Sequence, residues 1–209
     1  MSEPHLQAQN LHLWRGDRHV LKGVSLTVGA GECLLVTGSN GTGKTSLLRT
    51  LSGLMYPEEG RIAWGGRSIR EDLQGYCSDL AYIGHEPPLK VDLTALENLL
   101  FWVGVRRKLK PSDLQAALER VGARNWSDRP VRTLSAGQKR RVALAGLLLM
   151  AVPLWLLDEP TTNLDKQGQE LVGALIQEHL ANGGVTVAAV HHELSITAPS
   201  VRRLELASE

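Results

Sequence analysis

The chain has 209 residues, which is enough to bury the core of one large α/β domain, with or without an inserted lobe, but leaves no room for extra regulatory domains. Lys and Arg number 23 against 22 Asp and Glu, so the formal net charge of +1 provides no broad basic surface for nucleic acid. The two cysteines, Cys33 and Cys77, form no CxxC motif and no zinc-ligand spacing, and a reducing compartment fits them best.

The N-terminal segment predicts a β-hairpin without a targeting signal. Residues 1–10 are polar, so no signal peptide is expected. Residues 6–13 and 20–28 alternate between apolar and polar side chains around a polar break, which predicts two strands at an antiparallel edge. The longest uncharged apolar run, residues 142–157, is shorter than the ~20 residues of a membrane span. Membrane contact is therefore expected only through partners.

Residues 33–48, CLLVTGSNGTGKTSLL, predict a buried strand, a glycine-rich loop and the first turn of a helix. The loop matches G-x-x-x-x-G-K-[ST], whose glycines let successive N–H groups point at a nucleotide β-phosphate. Lys44 adds a positive charge, and Thr45 offers a hydroxyl to Mg²⁺ at the terminal phosphates. The structural alternative is a glycine-rich turn, but this pattern arises by chance in roughly one of a hundred such chains. The candidate phosphate-binding residues are Gly38, Ser39, Asn40, Gly41, Thr42, Gly43, Lys44, Thr45 and Ser46.

The middle of the chain changes from strands to helices. A helical lobe, residues 85–150, is predicted as an insertion into an α/β core formed by residues 1–84 and 151–209. The basic run 106–110 is interpreted as a solvated face. Helices are predicted at residues 45–54, 93–103, 111–121 and 166–181, and strands at residues 60–64, 80–84, 155–158 and 185–190, where the parallel sheet is expected to close.

Two acids, Asp158 and Glu159, lie at the carboxyl end of the predicted strand at residues 155–158. They lie where an open α/β sheet presents its ligand crevice, at the carboxyl end of a strand. Asp158 can hold a metal, and Glu159 can polarise an attacking water. A strand that simply ends in charged residues is the structural alternative.

LSAGQ, residues 134–138, starts another helix. Ser135 is a natural N-cap, and Gln138 three positions later completes a capping-box pattern. The same turn also presents N–H groups, a hydroxyl and Gly137 to a phosphate. Local sequence does not decide between the two roles.

The order of these motifs resembles that of ATP-binding cassette (ABC) proteins: phosphate loop, helical lobe, LSAGQ signature, Glu-Pro after an acidic strand, and a histidine. The resemblance spans essentially the whole chain. It implies an α/β P-loop ATPase fold with an inserted helical lobe, and ATP and Mg²⁺ as cofactors. Glu159, His191 and Lys44 are the implied catalytic residues. His192 is a weaker candidate for the γ-phosphate switch than His191, and a histidine pair after a strand also fits an ordinary loop.

The same resemblance implies a homodimer of cassettes that forms on ATP binding. In ABC proteins two cassettes pair head to tail, so Ser135, Gly137 and Gln138 would bind the nucleotide held by the partner. The segment 163–165, with Asp165, would line the dimer contact.

Two positions depart from the ABC pattern. Where cassettes usually carry a Gln, this chain has His85 followed by Glu86, so a metal or water contact from Glu86 is an expectation with no direct parallel. The aromatic ring that stacks on adenine would be Trp14, although Arg15 and Gly16 follow it and an aromatic there also fits a strand-end core residue.

Four segments of the chain carry a second resemblance. They are YIGHEP at residues 82–87, LTALENL at 93–99, LSAGQKRRVALA at 134–145 and RRL at 202–204. Together they resemble the CcmA family, the ATP-binding subunits of the bacterial cytochrome c maturation system. The resemblance implies a peripheral ATPase on the cytoplasmic face of the inner membrane, working with the membrane subunit CcmB and with CcmC and CcmD. Its ATP hydrolysis would serve haem export or release the haem-loaded chaperone CcmE.

Two alternatives stay open at this point. One is an ABC ATPase that energises transport of another cargo, and the other is a nucleotide-gated regulatory clamp without a transport partner. The haem link comes from resemblance alone, since nothing in the sequence offers a haem site.

Overall fold

A computed structural model of the chain describes residues 5–191, 194, 196 and 200–207. The chain divides into two compact units. The first comprises Met1–Tyr82, Val152–Glu159 and Ala174–Glu209, and the second comprises Ile83–Ala151 and Pro160–Gly173. The strands are β1 Leu6–Arg15, β2 Arg18–Val28, β3 Cys33–Thr37, β4 Glu59–Trp64, β5 Arg67–Ser68, β6 Leu80–Ile83, β7 Leu154–Asp158, β8 Val185–Ala189 and β9 Val201–Glu205. The α-helices are α1 Lys44–Leu51, α2 Leu73–Ser78, α3 Ala95–Gly104, α4 Pro111–Arg120, α5 Ala136–Met150 and α6 Lys166–Ala181.

A five-stranded sheet with the order β6-β7-β8-β3-β9 forms the centre of the first unit. The pairs β7 with β8, β8 with β3, and β3 with β9 are parallel. All residues of β7 and β8 are buried, as expected for parallel strands covered on both faces. The carboxyl ends of these strands therefore meet at one edge of the sheet.

The N-terminal hairpin belongs to a separate antiparallel sheet with the order β2-β1-β4-β5. Its turn consists only of Gly16 and Asp17. The two strands therefore extend into the segment that was predicted as a polar break, and they pair Trp14 with His19. Register shifts within the hairpin let β1 pair with both β2 and β4. The two sheets and α1 share one apolar core, which includes Leu11, Leu47 and Leu156.

Strands β5 and β9 and helix α2 were not predicted from the sequence, and the expected end of the parallel sheet was wrong. The sheet does not close at residues 185–190, because β9 pairs in parallel with β3 beyond them. Strand β9 has the sequence VRRLE with exposed charged side chains, and such an edge strand lacks the apolar run by which buried parallel strands are recognised.

The second unit is mainly helical. Helices α3, α4 and α5 fall on the predicted segments, and α3 begins with a full capping box between Thr94 and Glu97. Of the helices in the described part of the chain, none combines the length and the apolar character that a membrane-spanning segment requires.

An aromatic pair in the first unit joins buried Trp155 of β7 to half-buried His179 of α6. The ring of His179 in α6 stacks on Trp155 with centroids 3.8 Å apart and an angle of 6° between the rings. Burial lowers the pKa of His179 to about 4, and backbone groups at Val185 and Pro153 partly offset the shift. The imidazole of His179 is therefore neutral in the folded protein at neutral pH.

We expect this histidine to make the fold sensitive to acid. Because the folded-state pKa lies below the ordinary value of 6.5, the unfolded chain takes up the proton first. The contribution is complete above pH 6.5 and falls as the pH drops toward 4, by at most about 3 kcal/mol. Denaturant unfolding at pH 7 and pH 4.5 should show a smaller loss of stability for His179→Phe than for the wild type. Equal losses would contradict this account.

Candidate active site

The predicted nucleotide-site residues of the first unit lie at the aligned carboxyl ends of three neighbouring strands. Asp158 at the end of β7 pairs with Ala189 at the end of β8, and Ala189 pairs with Val36 near the end of β3. The phosphate loop begins two residues after Val36, Glu159 follows Asp158, and His191 comes two residues after Ala189. The topology thus brings together residues that are more than 100 positions apart in sequence.

The phosphate loop adopts backbone conformations that require its glycines. Gly38, Gly41 and Gly43 have φ angles of 140°, 82° and 100°. A Cβ on Gly38 would lie 2.6 Å from the carbonyl oxygen of Leu206, and one on Gly43 would lie 2.8 Å from Val20 Cγ1. The loop can therefore adopt this conformation and pack closely against Leu206 and Val20 only because these side chains are absent.

Helix α1 begins at the end of this loop without a side-chain cap. Gly43 occupies the N-cap position and offers no side-chain acceptor, so the first N–H groups of the helix have the orientation that binds an anion. Thr45 is half-buried in the first turn, and Ser46 beside it is buried. The arrangement fits a phosphate group, which supplies both the acceptor and the negative charge.

Lys44 lies in the loop with its ammonium group held by backbone carbonyls. Its Nζ donates to Gly38 O at 2.7 Å and to Ser39 O at 3.0 Å, and the side chain is 6% exposed. A buried ammonium is costly unless hydrogen-bonded, so the two carbonyls fix its position. The positive charge thus sits within the loop that the glycines shape.

Glu159 and His191 form a direct contact that was not predicted from the sequence. Glu159 Oε1 lies 2.5 Å from His191 Nε2, and both side chains are partly exposed. Glu159 N donates to Ala189 O at 3.0 Å, which fixes the carboxylate beside the end of β8. Glu159 also has a φ of 50°, and a non-glycine residue in this region costs on the order of 1–3 kcal/mol. Such strain is typical of functional positions.

Asp158 is almost fully buried beside this pair. Its side chain is 1% exposed, and its negative charge contributes to a raised pKa of Tyr82. The main cause of that shift is burial of the tyrosine, and a hydrogen bond with Arg49 works against it. Asp158 thus presents a buried carboxylate at the carboxyl end of β7. His192, the weaker switch candidate, lies outside the described residues.

A pocket of about 550 Å³ adjoins the phosphate loop. Asn40, Gly41 and Thr42 line it together with residues of β2 and the C-terminal strand, among them His19. Trp14 stacks on His19 at 3.9 Å, with 7° between the rings, and is not part of the lining. The aromatic ring that lines this pocket is therefore that of His19. His19 was missed because its place in the site depends on the two-residue turn, which pairs it with Trp14.

A second residue missed from the sequence is Arg18. Its Nη2 donates to Gly41 O at 2.7 Å, so the hairpin contributes a cation to the phosphate loop. The polar break in the sequence hid this contact, because it placed Arg18 in a loop rather than at the first position of β2.

In the second unit, the LSAGQ segment forms the capping box that the sequence predicted. Gln138 N donates to Ser135 Oγ at 3.2 Å, and Ser135 N donates to Gln138 Oε1 at 2.9 Å. A Cβ on Gly137 would lie 2.6 Å from Asn163 O, so this glycine permits close approach of the following segment. The structural role of these residues is thus confirmed, and contact with a partner's nucleotide stays a prediction.

Asp165 accepts hydrogen bonds from both α5 and the start of α6. Its Oδ1 accepts from Arg141 Nη2 at 3.1 Å and from Gly168 N at 2.9 Å.

His85 and Glu86, which depart from the ABC pattern, follow β6, and both side chains are exposed. The metal contact expected of Glu86 stays a prediction.

Comparison with known proteins identifies the family. The model of the family described as "ABC transporter" matches residues 21–162. A protein of Methylococcus capsulatus named "Cytochrome c biogenesis ATP-binding export protein CcmA" is 48% identical, over 94% of this chain and 95% of its own length. A protein of Yersinia pestis with the same name is 44% identical, over 97% of this chain and 93% of its own length. The chain belongs to the CcmA family of ABC transporter proteins.

A solved structure confirms the fold class. A putative ABC transporter ATP-binding protein from Pyrococcus furiosus superposes with a TM-score of 0.84 at 26% identity, over 97% of each chain. Membership in the ABC family supports ATP binding and ATP hydrolysis by this chain. The resemblance recognised from the motifs is thus confirmed over nearly the full length.

The two charged groups of the site should separate binding from turnover. Lys44→Ala removes the cation of the loop, so ATP affinity should fall at least tenfold. Glu159→Gln keeps the phosphate loop intact, so ATP should still bind within about threefold of wild type while the hydrolysis rate falls at least a hundredfold. Isothermal titration and phosphate release measure the two effects. Equal hydrolysis rates in wild type and Glu159→Gln would exclude Glu159 as the catalytic base.

Proposed function

We propose that the chain is the ATP-hydrolysing subunit of an ABC complex for cytochrome c biogenesis. In this complex ATP hydrolysis drives haem export or the release of the haem-loaded chaperone CcmE. The observation that carries the proposal is the site at the strand ends, in which a phosphate loop with its buried Lys44 lies on the same sheet edge as the Glu159–His191 pair. The near full-length similarity to proteins named for cytochrome c biogenesis supplies the biological context.

In the binding step, the phosphate loop receives the β- and γ-phosphates. The backbone N–H groups of residues 38–45 donate to the phosphate oxygens, and the uncapped start of α1 adds its positive dipole end. Lys44 already lies buried in the loop, so little reorganisation is needed to bring its charge to the phosphates. We place the base of the nucleotide in the adjoining pocket, which His19 lines. Trp14, the candidate stacking residue from the sequence, stacks on the ring of His19.

The residues that would hold Mg²⁺ at this site are Thr45 and Asp158, whereas a metal contact by Glu86 of the second unit stays an expectation from the sequence. Thr45 and Asp158 supply the hard oxygen ligands that the ion prefers, and Mg²⁺ would neutralise charge that develops on the phosphates. The described residues contain no cluster of three or more His, Cys, Asp or Glu side chains able to hold a metal. The remaining ligands of the ion would come from the phosphates of the nucleotide and from water.

In the hydrolysis step, Glu159 acts as the general base that polarises the attacking water. Its backbone is fixed by Ala189, and its carboxylate contacts His191. The imidazole orients this carboxylate, and it can also reach the γ-phosphate oxygens once nucleotide is bound. His191 is therefore the switch residue, whose contact with Glu159 reports whether the γ-phosphate is present.

Completion of the site by a second copy is the remaining requirement. Ser135, Gly137 and Gln138 form an exposed helix start whose capping box leaves first-turn N–H groups available for an anion. We assign them, with Asp165, to the nucleotide bound by the partner cassette. The complex would lie at the cytoplasmic face of the inner membrane, bound through the membrane subunit CcmB and working with CcmC and CcmD.

ATP should therefore convert the chain into a homodimer. The effect should be clearest in Glu159→Gln, in which bound ATP is not consumed, and it should be absent when Ser135→Ala and Gly137→Asp are combined. Light scattering with and without Mg-ATP measures the mass. A mass that stays unchanged with ATP, even with the membrane partner supplied, would contradict the dimer.

The cellular role can be tested by complementation. A bacterial host that lacks its own CcmA subunit should regain holocytochrome c when it expresses this chain with its CcmB-type partner. Glu159→Gln should give less than a tenth of the wild-type yield, measured by haem staining and absorbance at equal protein levels. Normal holocytochrome c yield with the inactive variant would contradict the role in biogenesis while leaving ATP hydrolysis untouched.

A further inference from the structure

Arg140 is a fully buried cation in the second unit. It lies in the second turn of α5, five residues after the capping residue Ser135, and its side chain is 1% exposed. A guanidinium withdrawn from water needs charge-assisted hydrogen bonds to remain favourable. The partners that it uses therefore show what this helix is built to hold.

Those partners include two successive backbone carbonyls. Arg140 Nη1 donates to Gly84 O at 2.9 Å, and Nη2 donates to His85 O at 2.6 Å. The planar guanidinium presents its donors in a rigid fork, so the two bonds fix the direction of both carbonyls at once. The segment from which His85 and Glu86 project is thus held by its main chain, while both side chains stay exposed.

The next residue of the helix holds a different segment. Arg141 donates to Asp165 Oδ1 at 3.1 Å and to Val121 O at 3.0 Å. Consecutive arginines of α5 therefore connect the helix to residues 84–85 on one side and to Asp165 on the other. The helix start that bears Ser135 lies only about 7.5 Å along the axis from Arg140, given a rise of 1.5 Å per residue.

We propose that Arg140 is a positioning residue that couples the LSAGQ helix to the His85–Glu86 loop. Displacement of α5 moves the Gly84 and His85 carbonyls with it, so a change at the helix start reaches the loop without passing through the phosphate loop. The inference rests on the proposed function in one respect, because it takes the exposed side chains of His85 and Glu86 as a contact for the membrane subunit. The mechanical link itself depends only on the Arg140 contacts.

The mechanical link is tested by hydrogen exchange on the purified chain. Arg140→Met keeps the length and apolar stem of the side chain but removes the donors, so amides of residues 84–90 should exchange at least tenfold faster. Peptides covering the phosphate loop should exchange within twofold of wild type. Arg140→Lys retains the charge and one donor, and it should restore part of the protection. Loop exchange at the wild-type rate in Arg140→Met would overturn the inference regardless of any activity measurement.

The functional consequence is tested on the complex with the membrane partner. Arg140→Met should keep the basal ATPase rate of the isolated chain and its ATP-dependent dimer within about threefold of wild type. The increase in ATPase rate caused by the membrane partner should fall below one third of the increase seen in wild type. Arg140→Lys should recover part of it. Lys139→Met, which removes a half-exposed charge from the adjacent position, is the matched control and should behave as wild type.

The outcomes separate this inference from the proposed function. A wild-type chain that shows no ATPase activity, or no response to a CcmB-type partner, would contradict the proposed function, and the exchange experiment would still decide the link. Full partner stimulation in Arg140→Met would overturn the coupling role. A general loss of thermal stability and basal activity in both Arg140→Met and Arg140→Lys would show that the residue is merely structural and would also overturn it.

Discussion

The pairing of β8 between β7 and β3 is the constraint on which the catalytic chemistry depends. It sets Asp158, Ala189 and Val36 at one level, so that residues just beyond them emerge at the same edge. The hydrogen bond from Glu159 N to Ala189 O continues this alignment one residue past the end of β7. The Glu159–His191 contact is thus a consequence of strand register. A shift of one residue in β8 would turn its side chains to the opposite face and separate the pair.

Buried cations in this protein are held largely by backbone carbonyls, and this has a consequence for function. Lys44 donates to the carbonyls of Gly38 and Ser39, and Arg140 donates to those of Gly84 and His85. A neutral acceptor satisfies the hydrogen bonds of a cation without cancelling its charge. Lys44 can therefore be buried and still attract a phosphate, whereas a tight carboxylate partner would have to be displaced first.

The sequence predicted those parts of the fold and site that arise from local chemistry. The loop glycines, the cap at Ser135 and the apolar strand before Asp158 each leave a pattern within about ten residues, and each was found where predicted. The contacts that were missed depend on long-range register. His191 meets Glu159 across 32 positions, Arg140 meets His85 across 55, and the polar edge strand β9 acquires its identity only by pairing with β3. No local pattern encodes such contacts, because their energy comes from the assembled sheet or helix.

The two roles that sequence left open for Ser135 are compatible in the structure. The capping box uses the N–H groups of Ser135 and Gln138, which are the first and fourth donors at the helix start. Those of Ala136 and Gly137 lie between them and have no acceptor within the helix, as is true of any first turn. The box thus fixes the direction of the helix start and leaves its two central donors for an anion. Gly137 adds a closely packed backbone at Asn163, which brings the segment before Asp165 to the same turn. A cap that stabilises the free cassette can therefore also prepare it for the phosphate of a second one, since the two functions use different donors of the same turn.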